Sequence, residues 1–333
     1  MAQRREVEFK TLDGLTLRGT LYFSSEPRGP AVIMTPGVSY AFPMPQRLRK
    51  YGFGQLLTTS LFNTTKEMFL PKVAQYLQEA GISALVYDPR TVGSSEGLPR
   101  NNIVPAQQVS DYSDALAFLK LQPRINPNRI AFWGFSFSGA IALCAAALDK
   151  RACGVVAVCP LTVWELDEKK WRGVMARCMQ DRESQLNGGN TPFAIPMVNS
   201  SGQNPAGFGS GVGENELELI RESKEKIPGF EATTTLQTYW HLMSWGGPFA
   251  ALRWLRGMPV LVVTPEDDRI SPAHKQKELI FDAIPCELEG PGTTSGEPKK
   301  TFHLVNARGH MDVLDGDSFR EVMDEQVRFL TGL

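Results

Sequence analysis

A chain of 333 residues, 42% hydrophobic and 21% charged, is long enough to bury a large core as one domain carrying an insertion. With 35 basic and 36 acidic residues the net charge is -1, which leaves no electrostatic footprint for nucleic acid or an anionic membrane. No apolar run approaches the ~20 residues of a membrane span, the opening MAQRREVEFK lacks the apolar core of a secretion signal, and the 5 cysteines, an odd number, point to free thiols; a soluble, cytoplasmic protein is expected.

Around Asp13-Gly14, residues 7–9 and 15–23 alternate apolar and polar as an antiparallel hairpin does. A short strand at 31–34 follows. Residues 38–64 are rich in aromatics and prolines without a clean period and read as an additional loop insertion. From Lys66 onward Phe69, Val73, Tyr76 and Leu77 recur at helical spacing, and Gly81 falls where a helix ends. Strand 83–87, a helix carrying Val109, Tyr112, Leu116 and Leu119, strand 129–133, a buried helix at 140–148 and strand 154–159 then alternate. Strands alternating with helices of this length imply βαβ units and a mostly parallel sheet covered on both faces.

Residues 161–255 break the rhythm with charged helical stretches, a Gly/Asn/Pro-rich segment and the aromatics Tyr239, Trp240, Trp245, Phe249 and Trp254. They read as an inserted lid, dividing a core formed by 1–160 and 256–333. The rhythm resumes with strand 260–264, a helix after Pro272, strand 301–305 and a last helix at 318–330.

One segment carries chemistry. In Gly134-Phe135-Ser136-Phe137-Ser138-Gly139 a serine stands between a strand and a helix, with very small residues two before and two after it. A nucleophile elbow holds its serine in a strained backbone conformation, and bulky side chains at those flanking positions would collide. The bland alternative is a small-residue turn opening a buried helix. Such a serine needs a later acid and then a base, each after a strand. Asp268 lies in Pro265-Glu266-Asp267-Asp268-Arg269-Ile270-Ser271-Pro272, although Asp267 and Glu266 share that loop. Of the 4 histidines, only His310 follows the last strand in a glycine-containing loop, because His241 lies in the insertion, His274 opens a helix and His303 sits within a strand. The oxyanion donors of such an arrangement are the N–H of Phe137 and one from the loop Thr35-Pro36-Gly37-Val38, leaving Gly37 and Val38 as candidates. The aromatics Tyr239, Trp240 and Trp245 are candidates for the wall of an apolar pocket, set against the commoner role of such rings as ordinary core. Histidine spacing and the absence of a CxxC pair predict no metal, and no phosphate-binding loop or other cofactor motif is present.

At these residues the chain resembles the α/β-hydrolase superfamily, and within it the dienelactone-hydrolase-like and polyketide-transferase-like proteins of fungal secondary metabolism. The resemblance is carried by Lys66-Glu67 with Leu70-Pro71, by the run from Leu85 to Arg90 with Gly93 and Gly97, by the run from Asp111 to Ala115, by Trp133 to Gly139, and by Gly309-His310-Met311-Asp312-Val313. It implies an α/β-hydrolase fold of about eight strands with helices on both faces and a lid, Ser136 as nucleophile and His310 as base. It further implies a serine hydrolase or acyltransferase acting on a bulky apolar ester or thioester, a polyketide-type intermediate, through an acyl-enzyme. A carrier-bound thioester as substrate and a homodimer are compatible with this reading, nucleic acid and membrane partners are not. The same groups used for carbon–carbon chemistry, and a non-catalytic binding protein on the same frame, remain alternatives.

Overall fold

The computed structural model describes residues 3–37, 63–162, 164, 167–189, 191–207, 214–227, 229–285, 300–307 and 309–333. Strands β1 (Gln3–Lys10) and β2 (Thr16–Phe23) form the expected hairpin, and Gly14 supplies the positive φ of 90° that its turn requires. Next come β3 (Gly29–Thr35), α1 (Leu70–Glu79), β4 (Ser83–Tyr87), α2 (Pro105–Lys120), β5 (Ile125–Phe135), α3 (Phe137–Leu148) and β6 (Val155–Val158). The excursion of 161–255 holds α4 (Trp171–Gly188), β7 (Ala194–Pro196), α5 (Glu214–Lys226), β8 (Thr233–Thr235) and α6 (Leu236–Trp245), with β7 and β8 paired as a small antiparallel sheet of their own. The alternation resumes with β9 (Val260–Pro265), the short α7 (Ala273–Gln276) continued by a wider turn to Phe281, β10 (Lys300–Val305), α8 (Asp312–Asp315) and α9 (Phe319–Thr331).

Eight strands join one sheet in the order β1-β2-β4-β3-β5-β6-β9-β10. Only β2 runs against its neighbours, and every pairing from β4 to β10 is parallel. The central strands are unbroken apolar runs because both faces are covered. Successive side chains point to opposite faces, so Ile33 and Phe132 join a core beneath α2 and α3, whereas Val32, Met34, Ala131 and Trp133 join a second core beneath α1 and α9. β5 starts earlier than the apolar pattern indicated, at Ile125, because its pairing with β3 shifts register between Gly29 and Ala31 and so passes over Pro127, which has no N–H to give.

Parallel strands share one carboxyl edge, and loops there are where open α/β sheets place their ligands. Gly37 after β3, Ser136 after β5, Asp268 after β9 and His310 after β10 all leave the sheet at that edge. No helix among the described residues is long and apolar enough to cross a membrane.

Candidate active site

Ser136 is the junction of β5 and α3, with φ 56° and ψ −116°, a sparsely populated conformation for a side-chain-bearing residue. Such strain costs about 1–3 kcal/mol and persists only where the surroundings impose it. Here they do. A Cβ on Gly134 would stand 2.1 Å from the Ser138 carbonyl oxygen, so only glycine fits two residues before the serine. The position two after it tolerates serine because the Ser138 hydroxyl is used internally. It accepts from the Phe135 N–H at 2.9 Å, and its own proton is shared between the carbonyls of Thr35 and Phe135, each at 3.0 Å. Ser138 therefore stitches the elbow to the end of β3.

The loop after β3 is pressed against that elbow. A Cβ on Gly37 would lie 1.9 Å from the Phe135 carbonyl oxygen, so the backbones meet as closely as glycine allows. Thr64 donates its hydroxyl to the Gly37 carbonyl, and Asn63 donates its amide to the Glu231 and Thr233 carbonyls, which ties this strap both to the Gly37 loop and to the excursion. A small cleft beside Gly37 is lined by Pro36, Thr64, Met68, Phe69, Leu70, Phe135 and Leu314 and is mostly apolar. Phe137 begins α3, whose N-terminal end carries the positive pole of a twelve-residue helix. Val38 and nearly all of the aromatic segment 38–64 lie outside the described residues.

On the far side of β5, His310 and Asp268 are buried to 2% and 4% exposure. The imidazole Nδ1–H donates to Asp268 Oδ2 at 2.7 Å. Asp268 accepts further from the backbone N–H groups of Ile270 and Ser271 on Oδ1, both at 2.9 Å, and from Gln276 Nε2 on Oδ2 at 3.0 Å. Asp267, by contrast, faces solvent beside Arg269 at 3.5 Å, and Glu266 is exposed. The acid in contact with the imidazole is thus Asp268, which the pattern alone left open among the three. The Phe135 ring packs 4.9 Å from the His310 ring, placing the imidazole beside the residue that precedes Ser136. Ser136 Oγ and His310 Nε2 are both buried without a hydrogen-bond partner. Buried polar atoms are nearly always paired, and those that are not call for an explanation.

Cys159, at the end of β6 with φ 47°, reaches the His310 carbonyl with its sulfur at 3.5 Å. Its thiol, the Asp268 carboxylate and the His310 ring bring potential ligand atoms within 4.8 Å of one another. Burial, and then the Asp268 charge, push the thiol well above its ordinary range, and Nδ1 is bonded to Asp268.

The aromatic candidates separate. Tyr239 is wholly buried within the excursion, and its hydroxyl accepts from Asn204 Nδ2 at 2.9 Å. Trp240 is about one-third exposed on the outside. Trp245 meets Trp164 edge-on at 4.9 Å, and Trp164 in turn packs 5.6 Å from Phe137. Trp164 packs against the elbow, and sequence reading missed it because it stands alone after β6 with no periodic neighbours. Gln276, Ser271 and Thr64 were missed for a similar reason: their roles depend on partners distant in the chain.

The turn after β4 is braced by hydrogen bonds and ion pairs. Asp88 accepts from the N–H groups of Lys66 and Ser94, at 2.7 and 2.8 Å, and Arg90 grips both Asp111 and Asp13. Comparison with known proteins fits this arrangement. The model of the alpha/beta hydrolase family matches residues 29–324.

The chain belongs to the α/β-hydrolase family.

Among relatives of this α/β hydrolase, a thiohydrolase of Eupenicillium brefeldianum is 46% identical across 100% of this chain and 95% of its own. A polyketide transferase of Aspergillus fumigatus is 39% identical, covering 98% of this chain and 97% of its own. Of solved structures, DcsB in complex with its substrate analogue superposes with a TM-score of 0.80 at 34% identity, covering 99% of each chain. The alpha/beta hydrolase GrgF from Penicillium superposes at 0.78 and 32%, covering 99% of this chain and 98% of that one.

Proposed function

We propose that this α/β hydrolase is a serine hydrolase or acyltransferase acting on a bulky apolar ester or thioester of polyketide type. The observation that carries the reading is the pairing of a buried Asp268–His310 hydrogen bond with two buried, unpartnered atoms, Ser136 Oγ and His310 Nε2. A hydroxyl and an imidazole nitrogen kept without partners are the atoms that a nucleophile and its base must keep available. The relatives' names supply the substrate class, since they include thiohydrolases and polyketide transferases.

In this reading Ser136 Oγ attacks the carbonyl carbon while His310 Nε2 takes its proton. Asp268 stabilises the resulting imidazolium and holds the ring by Nδ1. The oxyanion of the tetrahedral intermediate is met by the Phe137 N–H, with Gly37 or Val38 supplying the second donor. Collapse expels the thiol or alcohol, which takes the proton back from His310, and leaves an acyl-enzyme on Ser136. Water or an alcohol or amine acceptor resolves it, and a carrier-bound thioester fits the same scheme. Trp164 and Trp245 and the apolar cleft beside Gly37 line the approach, and 161–255 acts as a cap over the core formed by 1–160 and 256–333.

The test is intact-protein mass after treatment with a fluorophosphonate, comparing the natural chain with Ser136→Ala and His310→Ala. A single adduct on the natural chain, absent from both variants, is expected. With apolar thioesters, Ser136→Ala should lose about 10⁶ in kcat, the loss seen when a covalent serine is removed from such a triad. Appreciable turnover by Ser136→Ala would instead favour carbon–carbon chemistry run by His310, and no adduct on folded protein would sink the acyl-enzyme scheme.

A further inference from the structure

Asp268 receives donors on both oxygens, and three of the four come from its own loop or from His310. The fourth comes from another element. Gln276, on α7, is fully buried, and its Nε2 donates both to Asp268 Oδ2 at 3.0 Å and to the Ser271 carbonyl. Its Oε1 accepts from the Thr264 hydroxyl at 2.7 Å. We infer that Gln276 is a positioning residue that fixes the Asp268 carboxylate, and through it the His310 imidazole, in the geometry base catalysis needs; the inference rests on the serine-enzyme reading above.

The chemistry of the partners orients the amide. The Ser271 carbonyl and the carboxylate can only accept, so the NH₂ end must face them and the oxygen must face Thr264. The oxygen of Asp268 that Gln276 engages is the one that accepts from His310 Nδ1. The two backbone donors hold the other oxygen, and any short loop can form such a turn unaided. Gln276 alone therefore sets, from outside the loop, where the imidazole-facing oxygen lies and how much of its negative charge is left for the ring. Thr264, on β9, ties the amide to the sheet, so the carboxylate inherits the sheet's rigidity. Among the described residues, His310 from the loop after β10 and Cys159 from the end of β6 bring titratable atoms close to Asp268. Asp267 and Arg269 pair at the surface of its own loop, and His274 and Lys275 on α7 are exposed.

Two variants of the full chain test this, Gln276→Glu and Gln276→Leu. The first readout is the rate of fluorophosphonate adduct formation from about pH 5 to about pH 9, whose acidic limb reports the imidazole's titration. The second is the low-field proton resonance of the His310 Nδ1–H. A protonated glutamic acid at 276 has one proton to donate where glutamine has two, enough to keep the bond to Asp268, but once ionised it sets a second carboxylate against the one that faces the ring. The acidic limb of Gln276→Glu should therefore move up by about one pH unit or more. Gln276→Leu keeps the volume and removes the donor. It should slow labelling roughly ten- to a hundredfold, the effect of one lost hydrogen bond to an ion whose charge matters to the barrier, and should displace the Nδ1–H resonance. Wild-type limbs and resonances in both folded variants would overturn the role. If the natural chain takes no adduct at all, the acyl-enzyme reading fails separately. The proton resonance then decides Gln276 alone, an unmoved signal in Gln276→Leu refuting it and a moved one supporting it.

Discussion

Ser138 and Gly37 show how closely the elbow is drawn to its neighbours. Removing the Ser138 hydroxyl strands the Phe135 N–H and the Thr35 carbonyl in a buried place, so Ser138→Ala should destabilise by about 1–3 kcal/mol in denaturant unfolding. A variant as stable as the natural chain would show that the stitch is idle. Gly37→Ala is a different kind of change, because the atom it would strike is backbone and cannot swing aside. The loop must retreat from Phe135, so the melting temperature should drop, and fluorophosphonate labelling of the still-folded protein should fall by about 10² or more, the scale of losing one oxyanion donor. At this scale the sequence revealed the residue types but not always the choice among them. Ser136 and His310 stood out by their context between elements. Asp268 did not separate from Asp267, since both lie in the same acidic loop, and what distinguishes them is the pair of N–H groups from Ile270 and Ser271 that turns one carboxylate inward.

The elements are held by polar bonds as well as by apolar faces. Trp133 on β5 donates its indole N–H to Gln326 on α9 at 2.6 Å, inside the core beneath that helix. Gln326→Leu should leave that donor orphaned and lower stability by about 1–3 kcal/mol, measurable as a shift in the unfolding midpoint. Within the excursion of 161–255, Asp181 on α4 accepts from the Phe193 N–H at 2.9 Å, from Gln185 at 2.8 Å and from Gln237 on α6 at 2.9 Å. Asp181→Ala should speed hydrogen exchange in α4 and α6 while the sheet's amides stay protected; uniform loss of protection across both regions would contradict it. The sheet strands were legible because burial on both faces demands continuous apolar runs. The excursion's bonds were not, because they join polar residues far apart in sequence, and its small β7–β8 pair carries too few residues for any period to show.

For the molecule as a whole, the braced turn beyond β4 makes stability depend on pH. Burial outweighs the Arg90 guanidinium and pushes the Asp111 carboxyl up to about 6. The folded chain thus holds that proton more tightly than the unfolded one. Its contribution, of the order of 3 kcal/mol, is complete below about pH 4 and lost as the pH rises through about 6. The melting temperature of the natural chain should therefore fall relative to that of Asp111→Asn from about pH 4 to about pH 7, and a constant difference would argue that Asp111 does not titrate there. The fold class followed from strand and helix alternation alone, whereas this coupling depends on Asp13, Arg90 and Asp111 meeting from three separate elements. The place of the excursion in the chain order has one more consequence. β6 and β9 are side by side, yet the whole excursion of 161–255 is made between them. A ribosome therefore releases the half of the molecule that holds Ser136 long before Asp268 and His310 exist, and β6 must wait with an unpaired edge until β9 arrives. On the function proposed above, the growing chain would stay chemically silent, and its reactivity would switch on only as synthesis finishes.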